Sequence, residues 1–517
     1  MQTLKAQFCV VGAGISGMAA AYKLHKAGAS VIVLEAGGRL GGRIYTSQLS
    51  DGTPFEIGAE WISEKSLQPS LCALIDELEH DLHIKFPLAK QYIKGDTAFV
   101  DFDGNVKYYN ATPPEDDLTS TGLPPVSDEA KVEIIAAFAA LAYMADIVDP
   151  DSRWTLKPFD TTLSGGIADT VAADRITLYN WLEESFSERA AKALVAAMFR
   201  GTMGLEPEAL SMLHCIFFLN TFGSNPLNVL GAQKGQMQHL RLPRGVGEII
   251  RSIEKAVGPD SFIIGSPVRD IEQHGDHVIV RTEDVAVEAM RVIVATSTAA
   301  VSFIRFHPPL PPDRAQLQQR MGLGSFWKIW LAYDKPFWRH RKLPNGDKGL
   351  CGAIVCVKED AYVATALDSS LSDDGPGLMT CFIDADKARA FGRLSPADRR
   401  SFVIDEMVRA FGEEASCLSE TIMFPAVAPQ NSEPSPYFEW NWSLPDFIRG
   451  DYAGAPGPGV YTAEGFGPAI HDPCGRVHWA GSDNGQECYG GMTNAVWSAN
   501  RAVDEVLALD PVHKPDR

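Results

Sequence analysis

The stretch Phe8-Cys9-Val10-Val11-Gly12-Ala13-Gly14-Ile15-Ser16-Gly17 decides the fold of this chain. A short apolar, β-rich run leads into a Gly-x-Gly-x-x-Gly turn, and the sequence from Met18 to Ala27 predicts a helix. A second apolar run, residues 30–34, follows and ends at Glu35. A strand, a glycine turn, a helix and a second strand within about 30 residues predict a βαβ unit.

This βαβ unit predicts a dinucleotide-binding site. Gly12, Gly14 and Gly17 permit a tight turn and a close approach of the backbone to a pyrophosphate, and the helix that starts beside Ser16 offers free N–H groups. Glu35 lies 18 residues after Gly17, where an acid binds ribose hydroxyls. A glycine-rich turn without a ligand is the alternative, but the flanking strand, helix and acid all favour the dinucleotide.

Length and composition limit the class of protein. The 517 residues are about three times the roughly 150-residue size of one domain, so at least two lobes are expected. Apolar residues make up 45% and charged residues 22%, which excludes disorder or a coiled-coil rod as the main architecture. The net charge of −20 argues against nucleic acid or an anionic membrane as a partner.

Cysteine spacing and hydropathy give three further expectations. The nine cysteines are scattered and show no zinc-ligand spacing, so we predict no metal site. The longest apolar run has 12 residues, short of the roughly 20 that cross a membrane. With no secretory pattern at the N-terminus, the chain is expected to be a cytoplasmic protein without a transmembrane anchor. Homodimerisation is left open.

Periodicity predicts four longer elements beyond the βαβ unit. Helices are expected over 128–148, with Ser127 as N-cap, over 177–199, and over 491–507. A strand is expected over 326–333, and β-branched runs predict further strands within 268–282 and 291–295.

Motifs along the chain extend the glycine pattern in a fixed order. They are 35–43 (Glu-Ala-Gly-Gly-Arg-Leu-Gly-Gly-Arg), Gly58-Ala59-Glu60-Trp61, 267–271 (Pro-Val-Arg-Asp-Ile), 306–310 with 321–328, 479–483 (Trp-Ala-Gly-Ser-Asp) and 490–496 (Gly-Gly-Met-Thr-Asn-Ala-Val). Together they span nearly the whole chain, and the sequence resembles the flavin amine oxidase family, most closely its monoamine oxidase and cyclohexylamine oxidase-like enzymes.

The resemblance implies a two-lobed α/β flavoprotein. A Rossmann-type FAD-binding domain would comprise 1–85, 240–303 and 448–510, and a mixed α+β substrate domain would comprise 86–239 and 304–447. The site is expected where the lobes meet, a usual place for ligand pockets.

The resemblance also implies which residues contact FAD. Besides the glycine turn with Ser16 and Glu35, they are Ala36, Gly42, Arg43, Gly58, Ala59, Glu60, Trp61, Val268, Gly481, Asp483, Gly491, Met492 and Thr493.

Three residues are the candidates for catalysis. Lys328 lies in the aromatic strand Phe326-Trp327-Lys328-Ile329-Trp330, where burial without a partner is costly. It is either a solvent-facing strand residue or, as the resemblance implies, the lysine that holds a water at flavin N5. Trp442 matches by spacing a tryptophan of the flavin site, with core packing as the alternative. Tyr452 matches one of two tyrosines that flank the amine.

Two departures from the family pattern have consequences. Asp451 stands where some members carry the cysteine that links FAD, so we expect non-covalent FAD. Gly491 stands where the second tyrosine would be, with Tyr489 two residues earlier as an open substitute. Loss of that ring predicts a wider pocket and a bulkier amine. Gln236 and Val229 are further candidates for the cavity wall, and a surface-loop glutamine is the alternative for Gln236.

The resemblance implies an FAD-dependent enzyme with a small-molecule amine and dioxygen as substrates. The amine C–N bond would be oxidised to an imine, water would hydrolyse the imine to a carbonyl, and hydrogen peroxide would form. Two alternatives stay open, namely desaturation or oxidative cyclisation of a natural product on the same fold, and a non-catalytic FAD-binding scaffold.

Overall fold

A parallel five-stranded sheet forms the centre of one half of the molecule. In this computed structural model, which describes residues 2–112, 122–341, 349–427 and 430–512, the strand of the decisive stretch is Phe8–Val11. The sheet is assembled from distant parts of the chain, in the order Phe262–Ile263, Val31–Leu34, Phe8–Val11, Arg291–Val294 and Val477–Trp479, with every neighbouring pair parallel. The predicted βαβ unit and α/β class are therefore present.

The first helix, Ile15–Lys26, begins three residues earlier than predicted. It packs against the helices Gly247–Val257 and Met492–Leu509 on one face of the parallel sheet. Gly17 is required there, because a Cβ at this position would lie 1.8 Å from the Gly12 carbonyl oxygen. The close contact brings the helix N-terminus directly onto the turn that follows Phe8–Val11.

A second five-stranded sheet packs beside the first through a shared apolar core. Its order is Gln2–Lys5, Val285–Ala289, Val278–Arg281, Asp270–Gln273 and Arg305–His307. Since Arg305–His307 pairs with Asp270–Gln273, this sheet extends past residue 303, the limit predicted for the cofactor lobe. The division into lobes stays a prediction.

A mixed seven-stranded sheet carries the other half of the molecule. The predicted strand Phe326–Tyr333 is confirmed residue for residue, and it pairs antiparallel with both of its neighbours. The order is Tyr437–Asn441, Phe326–Tyr333, Gly377–Asp384, Thr365–Asp368, Leu350–Cys356, Asp96–Val100 and Val106–Tyr109. One face packs against the helices Ala385–Phe391 and Pro396–Phe411, and the other is turned toward a cavity.

A helical layer covers the cavity on the far side from this sheet. The predicted helix with Ser127 as N-cap is confirmed as Asp128–Ile147, with the Ser127 hydroxyl accepting from the Ala130 amide. The prediction of a single helix over 177–199 is wrong. The chain breaks it into Leu178–Ser185 and Arg189–Met203, because the amides of Ser187 and Glu188 donate to the Glu133 carboxylate and not to the helix.

The remaining elements connect these layers. The other helices are Pro69–Leu82, Thr170–Arg175, Met212–Asn220, Pro226–Leu230, Thr298–Val301, Pro312–Arg320 and Phe466–Ala469, with 3-10 turns at Pro207–Ala209, Pro259–Ser261, Phe337–His340 and Glu413–Ser416. The short strands are Thr46–Gln48, Pro54–Glu56, Trp61–Ile62, Ala89–Lys90, Leu240–Arg241, Met321–Leu323 and Gly454–Pro456. Within the described ranges, no helix has the length and apolarity needed to cross a bilayer.

Candidate active site

A cavity of about 1470 Å³ runs from the glycine turn to the helical layer. This volume exceeds the roughly 300–1,000 Å³ of ordinary small-ligand pockets, so it has room for a large cofactor and a second molecule. Its wall is mostly apolar, with a few charged groups from sequence positions far apart.

The glycine turn forms one end of the cavity and fits a pyrophosphate. Gly12 has a φ of +96°, a conformation that side chains rarely adopt, and no atom lies within 4 Å of the point where a Cβ of Gly14 would stand. Among the residues that the structure describes, no side chain caps the helix that starts after Gly14, and the buried Ser16 hydroxyl has no partner. Free N–H groups, an unpaired hydroxyl and open space are the features that an anionic group needs here.

Glu35 lies at the end of its strand, with its carboxylate directed at the glycine turn. It accepts hydrogen bonds from the amides of Ala13, at 2.6 Å, and Gly37, at 2.7 Å. Burial raises the pKa of Glu35, and the two amides oppose that rise. The acid therefore lines the cavity where the resemblance puts the ribose, although its contact with a ribose stays a prediction.

The segment after Glu35 wraps the same end of the cavity. Ala36, Gly42 and Arg43 line the wall. The Arg43 guanidinium donates to the carbonyl oxygens of Asp451, at 2.6 Å, and Tyr452, and to the Ser482 hydroxyl at 3.0 Å. Arg43 thus joins the N-terminal motif to two C-terminal segments.

Lys328 is not a solvent-facing strand residue. Its side chain is buried on the cavity face, where its ammonium donates to the Gly58 carbonyl oxygen at 3.0 Å and forms an ion pair with Glu60 at 2.9 Å. Arg241 forms a second ion pair with Glu60 at 2.7 Å, and the Ser369 hydroxyl donates to the same oxygen at 2.9 Å.

This buried cluster has definite protonation tendencies. Burial by itself would raise the pKa of Glu60, but Lys328 and Arg241 beside it outweigh burial and hold that pKa below its usual value. For Lys328, burial lowers the pKa, and the adjacent Glu60 opposes the shift. An ionised Glu60 therefore holds the Lys328 ammonium in one place.

Gly58, Ala59 and Trp61 line the cavity beside this cluster. A Cβ at Gly58 would lie 1.8 Å from the Arg43 carbonyl oxygen and 3.1 Å from the Trp442 ring. The absence of a side chain at Gly58 therefore leaves room for both the Arg43 backbone and the Trp442 ring. The resemblance assigned Glu60 to the cofactor, whereas the structure engages its carboxylate with Lys328, Arg241 and Ser369.

Aromatic rings cover the cavity around Lys328. Trp442 lines the wall and donates its ring N–H to the Ile57 carbonyl oxygen at 3.3 Å. Tyr452 is 41% exposed, since its ring faces the open cavity, and it lies 5.4 Å from the ring of Phe326. Phe382 completes this part of the wall and lies opposite Lys328 in the sheet.

The C-terminal motif divides into residues that line the cavity and residues that do not. Gly481, Gly491 and Met492 line it, as does Val268, two residues before the strand Asp270–Gln273. Among the described residues, no side chain caps the helix Met492–Leu509. Gly491 tolerates no side chain without a shift, because its Cβ would lie 2.8 Å from the Cys488 carbonyl oxygen.

Three residues expected at the cofactor are absent from the cavity wall. Gly17 packs helix against strand, as described above. The Asp483 carboxylate accepts from the amides of Gly454 and Thr298, and the Thr493 hydroxyl donates to Glu487. Their side chains are used within the protein, so their effect on the cofactor would be indirect.

The candidates for the substrate wall all line the cavity. Val229 is buried there, and the side-chain oxygen of Gln236 accepts from the Gln233 amide at 2.8 Å. Tyr489 is buried and donates its hydroxyl to the Gly454 carbonyl oxygen at 2.7 Å. This hydrogen bond fixes the position of the Tyr489 ring. That Tyr489 substitutes for the missing tyrosine stays a hypothesis.

Sequence reasoning missed three polar residues of this site. Arg241 and Ser369 complete the Lys328 cluster, and Asp384 lines the cavity. Period-2 alternation along Phe326–Tyr333 and Gly377–Asp384 could have placed Phe382 and Asp384 on one face, but only with the strand pairing known. Among the described residues, no group of three or more His, Cys, Asp or Glu side chains could hold a metal ion.

Comparisons with known proteins identify the family of this chain. Residues 15–507 match the family model for flavin containing amine oxidoreductase. Amine oxidase [flavin-containing] B of Sus scrofa is 29% identical over 97% of this chain and 86% of its own length, and an L-amino acid dehydrogenase of Synechocystis sp. is 28% identical over 97% and 94%.

A solved structure of an amine oxidase has the same fold as this chain. Cyclohexylamine oxidase from Brevibacterium oxydans IH-35A superposes with a TM-score of 0.81 at 27% identity, covering 98% of this chain and 99% of that one. The uncapped glycine turn and the large cavity fit the FAD that this family uses. The chain belongs to the flavin-containing amine oxidoreductase family, and it is an FAD-dependent oxidoreductase that acts on amines.

Proposed function

We propose that the enzyme oxidises the C–N bond of an amine to an imine and passes the electrons to dioxygen. The amine loses two electrons and two protons, water hydrolyses the imine to a carbonyl compound and ammonia or a smaller amine, and dioxygen takes up the electrons and protons as hydrogen peroxide. FAD, when bound, supplies the two-electron oxidation. The observation that carries the proposal is the buried Lys328 ammonium, fixed by Glu60 on the wall of an otherwise apolar cavity.

The chain's own residues orient the reactants. Tyr452 and Trp442 present aromatic surface to the amine, and an apolar wall disfavours an unpaired ammonium, so the reacting nitrogen is neutral. Lys328 donates a hydrogen bond to a water or to a reacting group beside it, and Glu60 with Arg241 keeps that donor in place. We propose Lys328, Tyr452 and Trp442 as the residues that contact the reactants.

Two other outcomes have specific support. A dehydrogenase among the relatives supports an electron acceptor other than dioxygen. The large cavity leaves room for a bulky natural product, for which desaturation or oxidative cyclisation would replace release of ammonia.

A panel of primary, secondary and cyclic amines tests the proposal. Without dioxygen, at least one amine should bleach the visible band of the flavin, and air should then restore it with formation of peroxide and a carbonyl product. Bleaching that air does not reverse would identify another acceptor, and a product without loss of nitrogen would identify desaturation or cyclisation. If no amine bleaches the band, the protein is a scaffold or acts on another substrate class, and amine oxidation by it is rejected.

A further inference from the structure

Asp384 is a buried acid on the cavity wall that the proposed reaction does not use. It ends the strand Gly377–Asp384, is 2% exposed, and lines the cavity together with Phe326, Phe382 and Tyr452. Gly201, on the facing helix Arg189–Met203, also lines the cavity, and a Cβ there would lie 4.0 Å from the Asp384 carboxylate. The glycine leaves space in front of the acid.

No other described residue forms an ion pair or hydrogen bond with the Asp384 carboxylate, and the helix that follows it is not capped by this side chain. The charged groups nearest to it are already engaged. The Arg200 guanidinium forms an ion pair with the Glu206 carboxylate, with 3.6 Å between nitrogen and oxygen. The Lys387 ammonium donates to the Lys358 carbonyl oxygen at 3.1 Å. Burial raises the pKa of Asp384 to about 6, so the group is mostly ionised at neutral pH.

A second carboxyl lies in this part of the cavity wall. Asp451 is 4% exposed, and one of its buried carboxyl oxygens has no partner among the described residues. Burial raises the pKa of Asp451 well above its usual value, which favours its neutral form. Against the rise that burial causes, Arg200 and Lys387 lower the pKa of Asp384, but neither forms a direct ion pair with it among the described residues. A buried carboxylate without a direct partner is unfavourable, so a cation that enters the cavity and contacts Asp384 is stabilised.

The sheet fixes where this charge lies relative to Lys328. Lys328 is paired with Phe382, and Asp384 is paired with Phe326, two residues farther along both strands. Two residues of an antiparallel strand span about 7 Å. A substrate whose reacting nitrogen lies beside Lys328 can therefore extend along the sheet face and reach the Asp384 carboxylate with a second group.

We propose that Asp384 binds a second, non-reacting cationic group of the substrate, so that the preferred substrate is an α,ω-diamine, bound with its reacting nitrogen neutral and its other amino group charged. The inference rests on the proposed amine oxidation and narrows its substrate class. Gly201 keeps the approach to the Asp384 carboxylate open, and the unpartnered Asp451 oxygen offers a second hydrogen-bond acceptor in the same cavity wall.

The experiment compares α,ω-diaminoalkanes with monoamines of equal chain length on the FAD-loaded enzyme. The parent should prefer at least one diamine about tenfold or more in kcat/KM, as expected for one charge-assisted hydrogen bond. Asp384→Asn keeps the shape of the side chain, and it should remove most of that preference while changing the monoamine constants less than about twofold. Asp386→Asn, an exposed acid of the next helix, is the matched control for loss of one charge and should leave the preference intact.

Calorimetric binding without dioxygen separates this inference from the proposed function. Tighter binding of a diamine that depends on Asp384 supports the cation site even if no amine is oxidised, in which case only the proposed reaction fails. Equal affinity for diamines and monoamines in the parent, or a preference that survives in Asp384→Asn with normal FAD content and thermal stability, overturns the inference while oxidation of monoamines still stands.

Discussion

Lys328 shows how one residue depends on contacts that are remote in sequence. Its ammonium is buried next to Glu60, and Glu60 is in turn shared with Arg241 and Ser369. A buried ion pair is a weak source of stability, because desolvation opposes the attraction. We infer that the cluster serves to position the Lys328 ammonium, since it fixes this hydrogen-bond donor on the cavity wall.

Replacement of Lys328 by methionine tests that view. The fold should survive, because Arg241 and Ser369 still satisfy the Glu60 carboxylate. We expect normal FAD content and a turnover lower by about ten- to a thousandfold, the range for loss of one positioned polar group. Stopped-flow absorbance follows flavin reduction by the amine and reoxidation by dioxygen separately. If both rates equal those of the parent at full FAD occupancy, Lys328 has no role in the reaction.

Glu56 joins two elements near the same cluster. In the strand Pro54–Glu56, its carboxylate accepts from the Val246 amide at 2.6 Å and from the Thr46 hydroxyl, at the start of the helix Gly247–Val257. Burial raises the pKa of Glu56 to about 7, although the Val246 amide opposes the rise. The folded protein therefore holds this proton more tightly than the unfolded chain.

The sign of the pH dependence follows from the raised pKa. The contribution of Glu56 to stability is present below the unfolded pKa of about 4.5 and is lost as the pH rises toward 7, by up to about 3 kcal/mol. Glu56→Gln keeps the neutral form at every pH. Its melting temperature should match the parent's near pH 4 and exceed it near pH 8, and a constant difference across that range would contradict the assignment.

Gly491 determines how the last helix begins beside the cavity. A Cβ there would approach the Cys488 carbonyl oxygen to 2.8 Å, so even alanine must move the backbone. We expect Gly491→Ala to destabilise the protein by about 1–3 kcal/mol and to weaken FAD binding. Gly275→Ala, in an exposed turn with no atom near the added methyl, is the control. An unchanged melting temperature and FAD dissociation constant would show that Gly491 tolerates a side chain, which would make Gly491→Tyr a direct test of the wide-pocket hypothesis.

In the whole molecule, the cofactor cavity joins segments from both ends of the chain, with Gly12 and Arg43 at one side and Gly481 and Met492 at the other. Asp451 offers no thiol for a covalent link, so acid or heat should release all flavin into the supernatant. Because FAD binds only the folded protein, removing it should lower the melting temperature, and added FAD should restore it in a concentration-dependent way. Flavin that stays with the precipitated chain would contradict non-covalent binding.

Local features of the fold could be predicted from the amino-acid sequence. The βαβ unit, the Ser127-capped helix and the strand Phe326–Tyr333 were predictable, because turn glycines, caps and period-2 or period-3.6 patterns act within a few residues. Family motifs identified the wall at the glycine-turn end of the cavity for the same reason, as each motif is a short contiguous stretch.

The side-chain contacts of the site could not be predicted, because they join segments that are distant in sequence. Glu60 and Lys328 lie 268 positions apart, and Arg241 joins them from a third segment. The helix predicted over 177–199 breaks because Glu133, on another helix, accepts from the amides at the break. The register of Gly377–Asp384 against Phe326–Tyr333 sets Asp384 two residues beyond Lys328 on the cavity face. Such pairings depend on packing between distant segments, and no local pattern in the sequence encodes their distances.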